Sequence, residues 1–112
     1  MIKVIGMVRK RADMTHAEFR DYWLNRHSKL EKASLARNPG RRIVANFWQQ
    51  NMIDQAPLAG MGELYYDSME DMRSIWNSGH DDTMRADQAN FCDPDFRMFC
   101  IVEEVEIGRR AE

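Results

Sequence analysis

Apolar and polar positions alternate along this chain in four short stretches and recur at helical spacing in two longer ones. Ile2 to Val8 is apolar on both faces apart from Lys3, the pattern of a strand covered on both sides. From Met14 to Leu30 the period becomes helical, and the start is written explicitly. Thr15 and Glu18 form a capping box, in which the Thr15 hydroxyl accepts from the Glu18 N–H and the Glu18 carboxylate accepts from the Thr15 N–H, while Met14 and Phe19 supply a hydrophobic staple. The helix is predicted to run to about Ala36, where Asn38-Pro39-Gly40 ends it. At about 100° per residue, Phe19, Tyr22, Trp23, Leu30 and Ala33 make one inward stripe, with Arg26 near its middle and His27 on its margin.

Arg42 to Gln50 alternates as a second strand, with Ile43, Ala45 and Phe47 on one face and Val44, Asn46 and Trp48 on the other. Asn51 to Ala59 reads as a loop of the kind that lines sites. The third strand, Met61 to Asp67, puts Met61, Glu63 and Tyr65 on one face. Ser68 caps a second helix whose inner stripe is Met69, Met72, Ile75 and Trp76, and Gly79 stops it. A short helix over Thr83 to Asn90, a turn at Phe91 to Pro94, a last strand from Phe96 to Ile107 and a tail from Arg109 to Glu112 complete the chain.

The order β-α-β-β-α-β predicts an α+β, ferredoxin-like domain spanning residues 1–112, with a four-stranded antiparallel sheet and both helices on one face. The other face then needs cover. A second copy of the sheet provides it, closing a homodimeric α+β barrel across a two-fold axis.

Composition narrows the function. With 16 basic against 18 acidic residues, the net charge of −2 carries no footprint for nucleic acid or an anionic membrane surface. No apolar run approaches the roughly 20 residues of a membrane span, and the N-terminal apolar stretch is too short for a signal peptide, which predicts a cytoplasmic protein. Cys92 and Cys100 show no metal-ligand or redox spacing and read as reduced thiols. Nine Met, three Trp, three Tyr and five Phe give a soft aromatic interior, suited either to plain core packing or to an adaptable apolar pocket.

His27 is the first candidate for chemistry, because an imidazole with an ordinary pKa of about 6.5 exchanges protons at neutral pH. The competing reading is a structural histidine. Glu63, a carboxylate in the middle of a strand, needs a partner; it either orients His27 as a second catalytic group or pairs with an arginine such as Arg26 or Arg42. Phe19, Tyr22, Trp23, Phe47, Trp48, Tyr65 and Trp76 are the candidate walls of a substrate pocket. Arg26 snorkels outward, pairs with Glu63 or binds a substrate carboxylate. His16 and His80 read as surface residues.

The first-helix pattern Thr15-x-x-Glu18-Phe19-x-x-Tyr22-Trp23-x-x-x-His27-x-x-Leu30 resembles the motif of the EthD domain family. The likeness continues through Gly62 to Met72, Asp87 to Asp93 and the last strand from Phe96. The resemblance implies a dimeric α+β barrel with a small-molecule cavity and no metal or organic cofactor. It also implies relatives that include methylmuconolactone isomerases and polyketide-tailoring decarboxylases and cyclases. The family's helix histidine matches His27, and its aromatics match Phe19, Tyr22 and Trp23. The leading expectation is therefore a cofactor-independent isomerase, decarboxylase or lyase that transfers a proton at His27 on a small hydrophobic, aromatic, lactone or polyketide-type molecule. The alternatives are a non-catalytic binding or accessory protein of an oxygenase pathway and a cofactor-free monooxygenase.

Overall fold

The computed structural model describes residues 1–50, 58–76 and 82–111. Its elements run β1 (Ile2–Lys10), α1 (His16–Tyr22), a π-helical turn (Trp23–His27), α2 (Ser28–Leu35), β2 (Arg42–Phe47), β3 (Gly60–Tyr66), α3 (Met69–Trp76), α4 (Asp82–Asp87), a 3-10 turn (Gln88–Asn90) and β4 (Cys92–Glu103). The four strands form one antiparallel sheet in the order β2-β3-β1-β4. This is the ferredoxin-like α+β arrangement that the element order predicts.

Both helical layers pack on one face of the sheet. Val8 meets Phe19, Trp23 and Phe91 in one buried cluster, and Val4 meets Tyr66, Met72 and Ile75 in another. Val4 and Val8 lie on the same side of β1 because side chains alternate along a strand. The capping box is formed, with Glu18 N donating to Thr15 Oγ1 at 3.1 Å and Thr15 N to Glu18 Oε1 at 2.9 Å. Ser68 accepts from Asp71 N at 3.1 Å, and the turn after α2 is held by Gly40 N donating to Asn38 Oδ1.

β1 runs to Lys10 rather than Val8, β2 ends at Phe47 rather than Gln50, and both ends of β4 differ from the sequence reading. β4 begins at Cys92 rather than Phe96, because the expected turn is absorbed as a bulge: β1 pairs Lys10 with Cys92 and Val8 with Arg97, so Asp93 to Phe96 stand out against Arg9 alone. Pro94 costs no ladder bond there, and Asp95 N donates to Asp93 Oδ1 within the bulge. β4 also stops at Glu103, leaving Val105 and Ile107 exposed. Most of the loop from Asn51, together with Gly79 and His80, lies outside the described residues.

The long helix contains the feature that decides the site. Between α1 and α2, Ser28 N donates back to Trp23 O, five residues away, and the Ser28 hydroxyl donates to Leu24 O. A π-turn holds one residue more than an α-turn, so every side chain after it is rotated by about 100° relative to an unbroken helix. The inward residues are accordingly Phe19 before the turn, Trp23 and His27 at its two ends, then Glu31 and Ser34. Arg26 and Ala33, expected within the stripe, are exposed.

Candidate functional site

Between the helices and the sheet lies a cavity of about 340 Å³. Its floor is β1 and β3, through Gly6, Val8, Gly62 and Leu64; its roof is Trp23, His27 and Glu31 from the long helix; Trp76, Met84, Arg85, Gln88, Phe91, Cys92, Arg97 and Phe99 close the sides. Glycine in the floor lets the rings descend. A Cβ on Gly60, just beside the cavity, would lie 2.9 Å from the Trp23 ring, and one on Gly6 would lie 2.7 Å from the Phe99 ring.

His27 is only 2% exposed and packs its ring 4.8 Å from that of Phe91. Its Nδ1 is 3.0 Å from Asp87 Oδ2. The other Asp87 oxygen accepts from Tyr22 Oη at 2.7 Å and from Asn90 Nδ2 at 3.0 Å. Burial by itself would raise the Asp87 pKa, but the hydrogen bonds from Tyr22, His27 and Asn90 outweigh it and hold the carboxyl below its ordinary value. Tyr22 is shifted up by its bond to that carboxylate, so it remains a donor. An ionised Asp87 facing Nδ1 selects the tautomer with the proton on that nitrogen and leaves Nε2 as the basic one.

Glu31 is the second carboxyl of the cavity. It is buried, accepts from Trp23 Nε1 at 2.9 Å, and has its pKa raised by loss of solvent. Two carboxyls thus flank one imidazole, one driven toward the ionised form and the other toward the neutral form. Burial pushes the Cys92 thiol up to about 12, so it lines the cavity as an inert wall. Among the described residues, no three His, Cys, Asp or Glu side chains are grouped as metal ligands.

Of the side chains nominated from sequence, His27, Trp23 and Trp76 line this cavity. Phe19 and Phe47 are packed behind Trp23, in edge-on contact with it. Tyr22 is stacked on Phe91 and serves the site through Asp87. Trp48 belongs to a separate surface groove with His16, Phe47 and Ala59. Arg26 is exposed and outside the cavity wall, 5.9 Å from the Tyr22 ring centre.

Glu63 requires a correction. Its neighbours Gly62 and Leu64 face the cavity, so the strand pleat turns Glu63 to the opposite face, where Oε1 accepts from Lys3 Nζ at 2.6 Å and Oε2 from Asn46 Nδ2 at 3.0 Å. Its partner is neither His27 nor an arginine. Tyr65 shares that face, beneath Lys3 and Arg42. Glu31, Arg85, Gln88 and Arg97 of the cavity wall, and Asp87 behind His27, are polar groups that the sequence reading did not nominate; Asp87 lies within the Asp87-to-Asp93 segment that resembles the family, which was the available signal.

A ferredoxin-like α+β sheet with one helical layer over an internal cavity, and a carboxylate-held histidine in its roof, defines the class. The EthD domain matches residues 11–95, and the chain belongs to the EthD domain family. No curated protein matches the chain. Among solved structures it is similar to an ethyl tert-butyl ether D (EthD) family protein from Bacillus halodurans, at 19% identity and TM-score 0.75 over 94% of this chain and 99% of that one. A dimeric protein of unknown function with a ferredoxin-like fold from Bacteroides fragilis matches at 16% identity and TM-score 0.65, over 92% and 95%. An EthD-like protein from Ralstonia eutropha matches at 19% identity and TM-score 0.67, over 96% and 95%. At these identities the likeness establishes the fold. No helix among the described residues is long and apolar enough to cross a membrane.

Proposed function

We propose that this EthD-family chain is a cofactor-independent enzyme that moves a proton on a small, largely apolar substrate, with His27 as the general base and acid. The observation that carries the reading is the buried His27–Asp87–Tyr22 chain at the roof of a chiefly apolar cavity. Asp87 fixes the imidazole so that Nε2 takes a proton from an acidic carbon or an enol, and it stabilises the imidazolium that results. Glu31, whose pKa is raised by burial, is the second group able to exchange a proton with the substrate. Isomerisation of a lactone or loss of carbon dioxide from a β-keto acid both need only these moves. His27 is the catalytic residue, and Asp87 and Tyr22 are positioning residues.

The test is hydrogen–deuterium exchange at the acidic carbon of enolisable lactones and aryl β-keto acids, followed by proton NMR in D₂O. Wild-type protein is expected to accelerate exchange and His27→Gln to lose about two to four orders of magnitude. Equal exchange in the two proteins sinks the catalytic reading. A tightly held molecule that survives purification unchanged, seen by native mass spectrometry, would point instead to storage or delivery.

We further propose that the unit is a homodimer assembled through the open sheet face, where Ile5, Met7, Val44 and Met61 are only partly buried and Met98 is 44% exposed. A monomeric mass at micromolar concentration would refute it.

A further inference from the structure

One of the two cations in the cavity wall has no side-chain hydrogen-bond or ion-pair partner among the described residues. Two guanidinium groups, Arg97 on β4 and Arg85 on α4, line it, and the carboxyl that shares their walls, Glu31, is buried and hydrogen-bonded to Trp23. Asp87 is turned toward His27, Tyr22 and Asn90 and spends both oxygens on them. Arg85 lies 4.7 Å over the Trp76 ring, and its ion-pair partner among the described residues is the largely exposed Asp82 at 3.6 Å. The Arg97 guanidinium forms no hydrogen bond and no ion pair with any described residue. It stands on the cavity side of β4, opposite Val8 in the β1 pairing, and it is exposed, which places it at the rim.

The remaining wall is chiefly apolar: Val8, Leu64, Trp23, Phe91 and Phe99. A neutral ligand filling such a space would strip water from Arg97 without giving it a counter-charge, which is costly. A ligand with a carboxylate at one end replaces the lost hydration by charge-assisted hydrogen bonds, for which the planar fork of an arginine is the matching donor. The Arg85 guanidinium over Trp76 lines the same cavity and offers a flat molecule a second cation.

We infer that the cavity takes a planar aromatic or enolic monocarboxylate, bound with its carboxylate at the rim by Arg97, assisted by Arg85, and its ring against the wall formed by Trp23, Phe91 and His27. The inference rests on the reading of this cavity as the ligand site and adds the chemical class of its occupant. It also moves the anion-binding role from Arg26, which points to solvent, to the strand across the cavity.

Calorimetric titration with 2-naphthoate and its uncharged isostere 2-naphthamide tests the point. Wild-type protein is expected to bind the carboxylate about tenfold or more tightly than the amide. Arg97→Gln should erase most of that preference by weakening naphthoate alone, with unchanged naphthamide affinity showing that the variant is folded and its cavity intact. Arg85→Gln should lose part of it, and Arg26→Gln none. Equal affinity for the two probes, or a preference that survives Arg97→Gln, overturns the inference while leaving the cavity as the ligand site. Binding of neither probe overturns the inference as well, and the exchange assay on His27 then decides the catalytic reading on its own.

Discussion

Two base–carboxylate pairs lie on opposite faces of the same sheet, and each joins residues 60 positions apart: Lys3 with Glu63 and His27 with Asp87. Both are largely withdrawn from water, yet they differ in what a proton can do. Lys3 is held between Glu63 and Glu104, and both hydrogen bonds raise its pKa further above neutrality. Glu63 is driven the other way, first by Lys3 and then by Asn46. That pair is frozen as ions. His27 contacts its carboxylate through one nitrogen and lines the cavity, and an imidazole, unlike an ammonium, has a second nitrogen able to accept a proton. Burial and proximity therefore do not by themselves make a reactive pair; the identity of the base does.

The sharpest way to break the comparison is to alter one pair at a time. His27→Gln should slow proton exchange by about two to four orders of magnitude while moving the urea unfolding midpoint little, since an amide of similar size can still meet Asp87. Lys3→Met should do the reverse, costing about 3 kcal/mol in urea unfolding by stranding Glu63 without its counter-ion, and leaving naphthoate affinity unchanged. If instead Lys3→Met disturbs ligand binding, the two faces are coupled and the contrast fails. Lys3→Met combined with Glu63→Leu should recover most of the lost stability, because no buried charge remains unpaired.

Asp87→Asn should lower turnover more than affinity, and nitrogen-15 NMR should show the proton of neutral His27 redistributed from Nδ1; an unchanged tautomer would remove Asp87 from its positioning role. Acid titration supplies a smaller signal. Glu63 and Asp87 have folded pKa values below their unfolded ones, so their stabilisation is present above the unfolded values, about pH 4, and is lost as pH falls through the folded ones. Glu31 has the opposite sign: its raised pKa makes stability decline as pH rises from the unfolded value through the folded one. Glu31→Gln should thus be the mildest change, neutral or stabilising by less than about 1 kcal/mol at pH 7, with a flatter stability profile in thermal melts.

Much of the fold was legible because its signals are local. The capping box, the Asn38-Pro39-Gly40 stop, the alternation in β1 to β3 and the Ser68 cap each depend on residues within a few positions of one another, and each forms. His27 and Trp23 were legible as site members for the same reason. Glu63 was misplaced because its partner is set by strand register: Ile5 pairs with Glu63 and Lys3 with Tyr65, which brings the lysine diagonally onto the carboxylate. Asp87 was not nominated because it reaches His27 only through tertiary packing of α4 against α2. Arg26 was drawn inward by a wheel that assumes a uniform helix, and the π-turn broke that assumption at the residue where it mattered.

That turn has a further meaning in the language of insertion and deletion. A π-turn is the space one additional residue occupies in a helix whose two ends are already anchored, here by the Thr15 cap and by the Gly40 turn. Deleting one residue among Leu24, Asn25 and Arg26 would let the ladder close to ordinary spacing, holding either Trp23 or His27 in place while swinging the other off the cavity. A single codon lost outside the cavity wall would thus change what the cavity contains, and a gap-free alignment with a relative lacking the extra residue would pair His27 with the wrong neighbour.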